Sequence, residues 1–336
     1  MIENKKYLTG ANVMKKLLTL TVLATLHAWA CAMPASAQSF PNRPIRVVVP
    51  FDAGGAMDVI IRIIGKQVSD SGGPQIVIEN KTGAGGAIGV MAVKEAAPDG
   101  YTLAEVSSST HVLNPHTTTN IPYDAVKDFQ PIAMLVRVPT LLAVPASLPV
   151  NSLADLLKLA RTNPKGLSYG SAGIGSAPHI TAALLAKSSG APMTHIPYRG
   201  MAGAMNDLLG DRIDFVFSSI PSLGGTVADG KVKLLAAAGP HRLKTYPEIA
   251  SMAELGHPDV DVDLWFGLVA PLGTDAATIA KLNEIFVKAT NAPVLAERFK
   301  QLGVEIATGT PAQFKQTLAS DNARLGPFVR ELTAKK

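Results

Sequence analysis

Short apolar runs alternate along the chain with longer segments in which apolar residues recur at helical spacing. The first run, residues 45–50, is apolar apart from Arg46 and predicts a buried strand; apolar residues then recur every three or four positions from Met57 to Val68, which predicts a helix. Further runs that predict strands lie at residues 75–79, 101–106, 141–145, 167–170, 215–218, 233–238 and 266–270, and residues 276–320 favour mainly two helices. Strands that alternate with helices indicate an α/β architecture with mostly parallel sheets.

The N-terminal residues have the features of a secretory signal peptide. Lys15 and Lys16 precede a mainly apolar run at residues 17–32, and Ala35 and Ala37 form an A-x-A cleavage site. The apolar run is shorter than the ~20 residues of a membrane span. We therefore predict a cleaved signal peptide at residues 1–37 and a mature protein in the periplasm. A buried helix or a membrane anchor is the alternative interpretation.

Composition narrows the class of protein. About 299 residues follow the predicted cleavage site, which is enough for two domains, and 47% of the chain is hydrophobic. The net charge is +5, but four lysines and one glutamate lie in the first 37 residues, which leaves about +2 for the rest. Scattered basic residues and 5% aromatic residues do not indicate a nucleic-acid surface. The single cysteine, Cys31, lies in the predicted signal peptide, so no disulfide or thiolate chemistry is expected.

A glycine-containing loop follows the first predicted strand and leads into the first helix. In open α/β sheets, ligands bind beyond the carboxyl ends of strands, where helix N-termini offer free N–H groups and a partial positive charge. Gly54 and Gly55 let the backbone approach a ligand closely. Asp58 lies in the first helical turn, where it could cap backbone groups or receive a ligand hydroxyl or ammonium group. This loop, which also contains Phe51 and Ala53, is a candidate for binding an anion.

A second loop repeats this arrangement after another predicted strand. Its hydroxyls and backbone N–H groups can hold a carboxylate without an arginine. The candidate residues are Ser171, Gly173, Gly175, Ser176 and His179, with Ser176 as the predicted N-cap of the following helix. Two matched loops in one chain favour a binding site over two plain turns.

Further polar candidates follow other predicted strands. Tyr198 and Arg199 lie between a strand and a helix, although an exposed arginine is more often solvated surface. The polar run at residues 107–111, which contains Ser109 and His111, follows a strand in the first part of the chain, and Ser218 and Ser219 follow one in the second part. We expect these side chains to add polar lining to the site.

Motifs for catalysis are absent or incomplete. Residues 70–74 match the loop around the nucleophile of trypsin-like serine proteases, but no histidine precedes them in the predicted mature chain. The glycines at residues 83–89 lack the third glycine of a dinucleotide loop, and no G-x-S-x-G or H-E-x-x-H motif occurs. The sequence therefore predicts a protein that is not an enzyme and has no cofactor or metal. A hydrolase would need Ser171 or Ser176 with His179 as its base.

These loops and several short motifs resemble those of the Bug family, which are periplasmic solute receptors of tripartite tricarboxylate transporters. The similarity covers about residues 40–330. Its motifs are P-N-R-P-I-R at 41–46, P-F with G-G and D at 50–58, E-N-K at 79–81, G-A-G-G at 83–86, P-D-G-Y-T at 98–102, P-Y-R-G at 197–200, D-L-L-G at 207–210 and G-L-V-A-P at 267–271. Ala53 stands where the family usually has a proline before the glycine pair.

The resemblance implies a two-lobed periplasmic binding protein of the Venus-flytrap, type II-like fold, each lobe a mostly parallel sheet flanked by helices. We place lobe one at residues 38–137 plus 263–336 and lobe two at residues 138–262. The chain is expected to cross between the lobes near Arg137 and Asp263.

The resemblance also implies how the ligand is held and passed on. The loops at residues 51–58 and 171–179 would grip a small carboxylate (a di- or tricarboxylate, or an aromatic carboxylate) through backbone N–H groups and water. Hinge closure would bury the ligand, and the closed receptor would deliver it to a membrane permease with a large and a small subunit. We expect a monomer that binds no nucleic acid. A sensor that docks on a signalling partner is the alternative function.

Overall fold

The computed structural model of this protein describes residues 40–117 and 121–333. The predicted signal peptide at residues 1–37 lies outside the described residues. From Arg43 onwards the chain forms one compact unit. This unit contains two β-sheets, and each sheet is flanked by helices.

The strands of the described residues are numbered in chain order. They are β1 (Ile45–Val49), β2 (Ile76–Asn80), β3 (Thr102–Ser107), β4 (Phe129–Arg137), β5 (Leu141–Pro145), β6 (Leu167–Ser171), β7 (Met193–Pro197), β8 (Phe215–Ser218), β9 (Val232–Ala237), β10 (Trp265–Pro271) and β11 (Glu305–Ile306). The central strands are nearly free of exposed residues; β10, for example, is buried throughout. The central strands of each sheet therefore form the hydrophobic core of the lobe that contains it.

The α-helices are numbered in the same way. They are α1 (Ala56–Asp70), α2 (Ala87–Lys94), α3 (Asn114–Thr117), α4 (Leu153–Thr162), α5 (Ala177–Ser189), α6 (Met201–Leu209), α7 (Ile220–Leu223), α8 (Ala276–Thr290), α9 (Pro293–Gln301) and α10 (Pro311–Thr333). A π-helical turn, Ser109–Leu113, leads into α3. The helical spacing after the first loop is confirmed, because α1 buries Ile60, Ile61 and Ile64 completely. No helix in the described part of the chain is both long and apolar enough to span a bilayer.

Both sheets are mixed. The first has the strand order β11–β4–β10–β3–β1–β2, and the second has the order β7–β6–β8–β5–β9. β1 is parallel to β2 and β3, and β6 is parallel to β7 and β8. β10 is antiparallel to β3 and β4, and β5 is antiparallel to β8 and β9. The two-lobed α/β fold is confirmed. The sheets are less parallel than expected, because each contains one strand that the chain enters after crossing from the other sheet, and this strand is antiparallel to its neighbours. It is β10 in the first sheet and β5 in the second.

The chain passes between the two sheets twice, from β4 to β5 and from β9 to β10. The two connections lie side by side where they reach the first sheet. The N–H of Val138 donates to the carbonyl of Leu264 at 2.7 Å, and Arg137 forms an ion pair with Asp263. These contacts hold both connections together at one position between the lobes.

The C-terminal segment contains three helices, α8 to α10, where mainly two were expected. α8 ends at Thr290, and Pro293 is the first residue of α9. Proline lacks an N–H group and its ring clashes with the preceding turn, so it starts a helix more readily than it continues one. Gly303, with φ of 63°, then turns the chain towards β11.

Candidate functional site: a cleft between the lobes

A cavity lies between the loops that leave the two sheets. Its empty space, including the part open to solvent, is about 500 Å³. The apolar lining residues are Phe51, Ala56, Met57, Ala172, Pro178, Met201, Leu264 and Phe266. The remaining lining residues are Gly55, Asp52, Ser107, Ser109, Thr140, Ser218, Ser219 and Ser222. Both lobes contribute apolar and hydroxyl side chains, so this cavity is the candidate ligand site.

Two serines join the lobes across this cavity, and each caps a helix of the other lobe. Ser222 Oγ accepts a hydrogen bond from the N–H of Ala56, the first residue of α1, at 2.9 Å. Ser109 Oγ accepts one from the N–H of Ala177, the first residue of α5, at 2.8 Å. The first N–H groups of a helix have no partner within that helix, so these hydroxyls satisfy them. The lobes are therefore in direct contact, in a closed arrangement.

Two other serines face the cavity with unused hydroxyls. Ser107 ends β3 in the first sheet, and Ser218 ends β8 in the second. Each is 1% exposed, and neither Oγ has a hydrogen-bond partner in the described structure. Buried polar groups are nearly always hydrogen-bonded, so a polar group inside the cavity is their expected partner.

The first loop contributes to the cavity through some of its predicted residues. Phe51 and Gly55 line the cavity, whereas Ala53 and Gly54 are exposed and lie outside the lining. Gly54 has a φ of 82°, a left-handed conformation that favours glycine. Gly54 thus sets the turn of the loop, and Phe51 forms part of the cavity wall.

Asp58 is 4% exposed and supports the loop from behind. Its carboxylate accepts hydrogen bonds from the N–H of Gly54 at 3.0 Å, from Arg62 Nε at 2.9 Å and from Asn80 Nδ2 at 3.1 Å. Burial by itself raises the pKa of a carboxyl group, but these hydrogen bonds and the charge of Arg62 outweigh it and lower the pKa of Asp58. Asp58 was expected either to cap backbone groups or to receive a ligand group, and the structure shows it capping the backbone N–H of Gly54.

The predicted side chains of the second loop mostly point into lobe two and hold the loop in shape. Ser171 Oγ lies 2.6 Å from His195 Nε2 and also donates to the carbonyl of Gly173 at 3.1 Å. Ser176 caps α5 by accepting from the N–H of His179. Ala172 and Pro178, rather than these serines, supply the lining.

His179 is 4% exposed and is held on both sides. Its Nδ1 accepts from the N–H of Gly175 at 3.2 Å, and its ring stacks on that of His195 at a centroid distance of 4.0 Å. The hydrogen bond assigns the ring proton of neutral His179 to Nε2. Ser171 and Ser176 are fully buried outside the cavity lining, and Ser171 pairs with His195 rather than with His179. A nucleophile–base pair open to a substrate is therefore not formed by these residues.

His111 lies in the core and does not line the cavity. It is fully buried, with its ring 5.3 Å from that of Phe129 and 6.0 Å from that of Tyr123. Burial lowers the pKa of His111 to about 3, so the ring is neutral. The turn that carries it is nevertheless part of the site, because Ser109 lies on the same turn and lines the cavity.

Tyr198 and Arg199 line a second cavity together with Gly173 and with glycines of the segment at residues 83–85. The empty space there, which includes open solvent, is about 990 Å³. Tyr198 donates its hydroxyl to Asp207 Oδ2 at 2.6 Å, and burial together with Asp207 raises the pKa of Tyr198 to about 12. Arg199 is exposed. Neither residue reaches the lining of the first cavity.

Several lining residues were not among the predicted site residues. Ser107 and Ser219 belong to the polar runs that end β3 and β8, from which only Ser109, His111 and Ser218 were chosen as site residues. Thr140 and Leu264 lie on the two connections between the lobes, and Met57 looked like core from its helical spacing. Within residues 40–117 and 121–333, no group of three or more His, Cys, Asp or Glu side chains is placed to hold a metal ion.

Comparison with known proteins shows the family. A model of the tripartite tricarboxylate transporter family receptor (TctC) matches residues 60–334. Protein BugT of Bordetella pertussis is 33% identical over 305 residues, which cover 90% of this chain and 94% of BugT.

Solved structures agree with this match. Rpa4515 of R. palustris with adipate superposes with a TM-score of 0.84 at 30% identity, covering 88% of this chain and 98% of that one. MatC from Rhodopseudomonas palustris with bound malate superposes with a TM-score of 0.81 at 30% identity, covering 86% of this chain and 100% of MatC. With its two lobes, its cleft and these relatives, the chain belongs to the TctC/Bug family of solute-binding receptors of tripartite tricarboxylate transporters, a family of periplasmic binding proteins that are not enzymes.

Proposed function

We propose that this protein is exported by a signal peptide at residues 1–37 and captures a small carboxylate in the periplasm. The cleft between the loops at residues 51–58 and 171–179 holds the ligand. The lobes, residues 38–137 plus 263–336 and residues 138–262, close about the connections near Arg137 and Asp263. The closed receptor then delivers the ligand to a membrane permease with a large and a small subunit.

The observation that carries this proposal is the pair of unused hydroxyls in the cavity between the lobes. Ser107 and Ser218 come from different lobes and are almost completely buried without a partner. A carboxylate between them accepts from both hydroxyls, and its charge is favoured by the helix N-terminus at Ala56. The relatives with bound adipate and malate support a carboxylate ligand.

A thermal-shift and calorimetry screen tests the proposal. The panel contains benzoate, hexanoate, adipate, malate and citrate, with benzamide as the uncharged match to benzoate. A ligand at a hundredfold excess over its Kd stabilises the folded protein by ~2.7 kcal/mol, which raises the Tm by several degrees. We expect at least one carboxylate to do so and benzamide to have no effect. The proposal is wrong if no carboxylate in the panel raises the Tm or releases heat.

A matched pair of variants locates the binding site. Ser218→Ala removes a hydroxyl that lines the cavity and should weaken carboxylate binding by about tenfold, because hydrogen bonds to charged groups are the stronger kind. Ser108→Ala is the control, since Ser108 is also fully buried without a partner but lies outside the lining. Equal affinities for the two variants would place the ligand elsewhere.

A further inference from the structure

The charge of the cavity wall restricts the ligand. Among the described residues that line it, none is lysine, arginine or histidine, and the one ionisable side chain is that of Asp52. A buried charge without a partner is costly, so every carboxylate on the ligand needs its own set of hydrogen-bond donors. The number of free donor sets therefore limits the number of carboxylates that the cavity can bury.

The N-terminus of α5 has no free donors. The N–H of Ala177 is bonded to Ser109, and the N–H of His179 is bonded to Ser176. The residue between them is Pro178, which has no N–H group. Although α5 begins at the cavity, its first turn has nothing left to offer an anion.

At the N-terminus of α1, only some of the backbone N–H groups are hydrogen-bonded. Ser222 occupies the N–H of Ala56, but the N–H groups of Met57 and Asp58 have no acceptor in the described structure. Met57 lines the cavity. The unused hydroxyls of Ser107 and Ser218 lie in the same lining and provide the independent sign of a ligand there. The hydroxyls of Thr140 and Ser219 also line the cavity, but only the N-terminus of α1 adds free backbone N–H groups to hydroxyl donors. The cavity therefore has one donor set that a helix N-terminus supports.

The rest of the wall is suited to hydrocarbon. Phe51 and Phe266 supply aromatic surface, and Met57, Met201 and Leu264 supply flexible or branched aliphatic surface. Methionine adapts to irregular apolar shapes, and each methylene of a ligand that is buried against such a wall is stabilised by leaving water. A ligand with an apolar body is therefore favoured over a short hydroxylated one.

From this lining we infer that the ligand is a monocarboxylate with an apolar body, aliphatic or aromatic, and that the receptor discriminates against a second carboxylate. The inference rests on the proposed function and narrows its ligand class. Ser109 acts as the discriminating residue, because its Oγ occupies the first N–H of α5, which would otherwise be a second helix N-terminus open to a carboxylate.

Hexanoate and adipate test this inference directly, because they share a six-carbon chain and differ by one carboxylate. Calorimetry should show hexanoate or benzoate binding at least about tenfold more tightly than adipate, malate or citrate. Adipate, malate or citrate binding as tightly as hexanoate and benzoate would overturn the inference and leave the proposed function standing. If none of the five binds, the proposed function fails and this inference fails with it.

The Ser109→Ala variant tests the assigned residue. It frees the N–H of Ala177, so the preference for hexanoate over adipate should shrink by about three- to tenfold. Ser108→Ala is the matched control and should keep the wild-type ratio. An unchanged ratio in Ser109→Ala would contradict the role of Ser109, and the ratio of the wild-type protein decides the ligand class whether or not the variant folds.

Discussion

Glu105 lies in the interior of β3 with no exposed surface, and neither carboxyl oxygen has a hydrogen-bond partner in the described structure. Burial, with a smaller contribution from the charge of Asp58, raises the pKa of Glu105 well above its ordinary value. The folded protein therefore holds this carboxyl group protonated at pH values where the unfolded chain has released the proton. Because of that difference, Glu105 lowers the free energy of unfolding, and it does so by an amount that depends on pH.

We predict that Glu105→Leu stabilises the protein and that the gain depends on pH. Below the unfolded pKa of about 4.3 the carboxyl group is protonated in both states, so its ionisation costs nothing. As the pH rises from there to the raised folded pKa, the cost grows by about 1.4 kcal/mol for each pH unit. Urea unfolding at several pH values should therefore show a gain that is small at pH 4 and larger at pH 7.

The exposed residue Glu297 provides the control for this measurement. Glu297→Leu should change the free energy of unfolding little, and by a similar amount at each pH. A Glu105→Leu effect with the same value at pH 4 and pH 7 would contradict a protonated buried carboxyl group.

At the scale of elements, the first N–H group of α1 and that of α5 each donate to a serine from the opposite lobe. The N-cap of α1 is Gly55, which has no side chain to accept a hydrogen bond. Ser222, on the short helix α7, accepts from α1 instead, and this contact exists only when the lobes meet. Helix capping in this protein is thus coupled to closure.

We predict that Ser222→Ala weakens ligand binding by about two- to tenfold, because one helix N–H then loses its acceptor in the closed form while the separated lobes lose nothing. Calorimetry with a carboxylate that binds the wild-type protein measures the loss. Ser222→Thr keeps the hydroxyl and should recover most of the affinity. If Ser222→Ala binds as tightly as the wild-type protein, the contact contributes nothing to closure.

At the scale of the whole molecule, contacts between the lobes also lie away from the cleft. Lys187 at the end of α5 pairs with Glu331 of α10 at 2.9 Å, and its Nζ lies 5.2 Å from the centre of the Phe328 ring. These groups are largely exposed, so their ion pair is worth little by itself. The cross-lobe serines and the adjacent connections near Arg137 and Asp263 are the more substantial restraints.

A disulfide across the cleft should block ligand entry. Ser222 Oγ is 2.9 Å from Ala56 N, and bond lengths then keep the two Cα atoms within the ~6.8 Å that a disulfide can bridge. The only natural cysteine, Cys31, lies in the predicted signal peptide. We predict that the oxidised Ala56→Cys/Ser222→Cys double variant binds ligand at least about tenfold more slowly than its reduced form, because the lobes cannot separate.

Stopped-flow measurements before and after reduction test this prediction, with each single cysteine variant as a control for oxidation alone. Equal association rates for the oxidised and reduced double variant would mean that ligand enters without separation of the lobes.

The sequence predicted most elements because their signals are local. The strands at residues 141–145 and 215–218 have the predicted bounds, and the first helix follows the glycine pair as expected. β4 was not predicted. Pro131 within it lacks an N–H for the ladder, and in the structure Pro131 pairs with β10 beside a register shift. The rule that proline is excluded from the interior of a sheet therefore failed at Pro131, because the neighbouring strand β10 accommodates it.

The sequence by itself determined the α/β class, the two glycine loops and the resemblance to a family of carboxylate receptors. Only the tertiary structure decided which side chains meet in the cleft. Ser222 and Ala56 are 166 positions apart, and Ser109 and Ala177 are 68 apart. Periodicity along the chain shows where a helix begins and leaves N–H groups unpaired, but the acceptor for those groups is whatever the folded chain brings within 3 Å. For that reason the loops and Ser109 could be named from the sequence, while Ser222 and the helix N–H groups that the two serines meet could not.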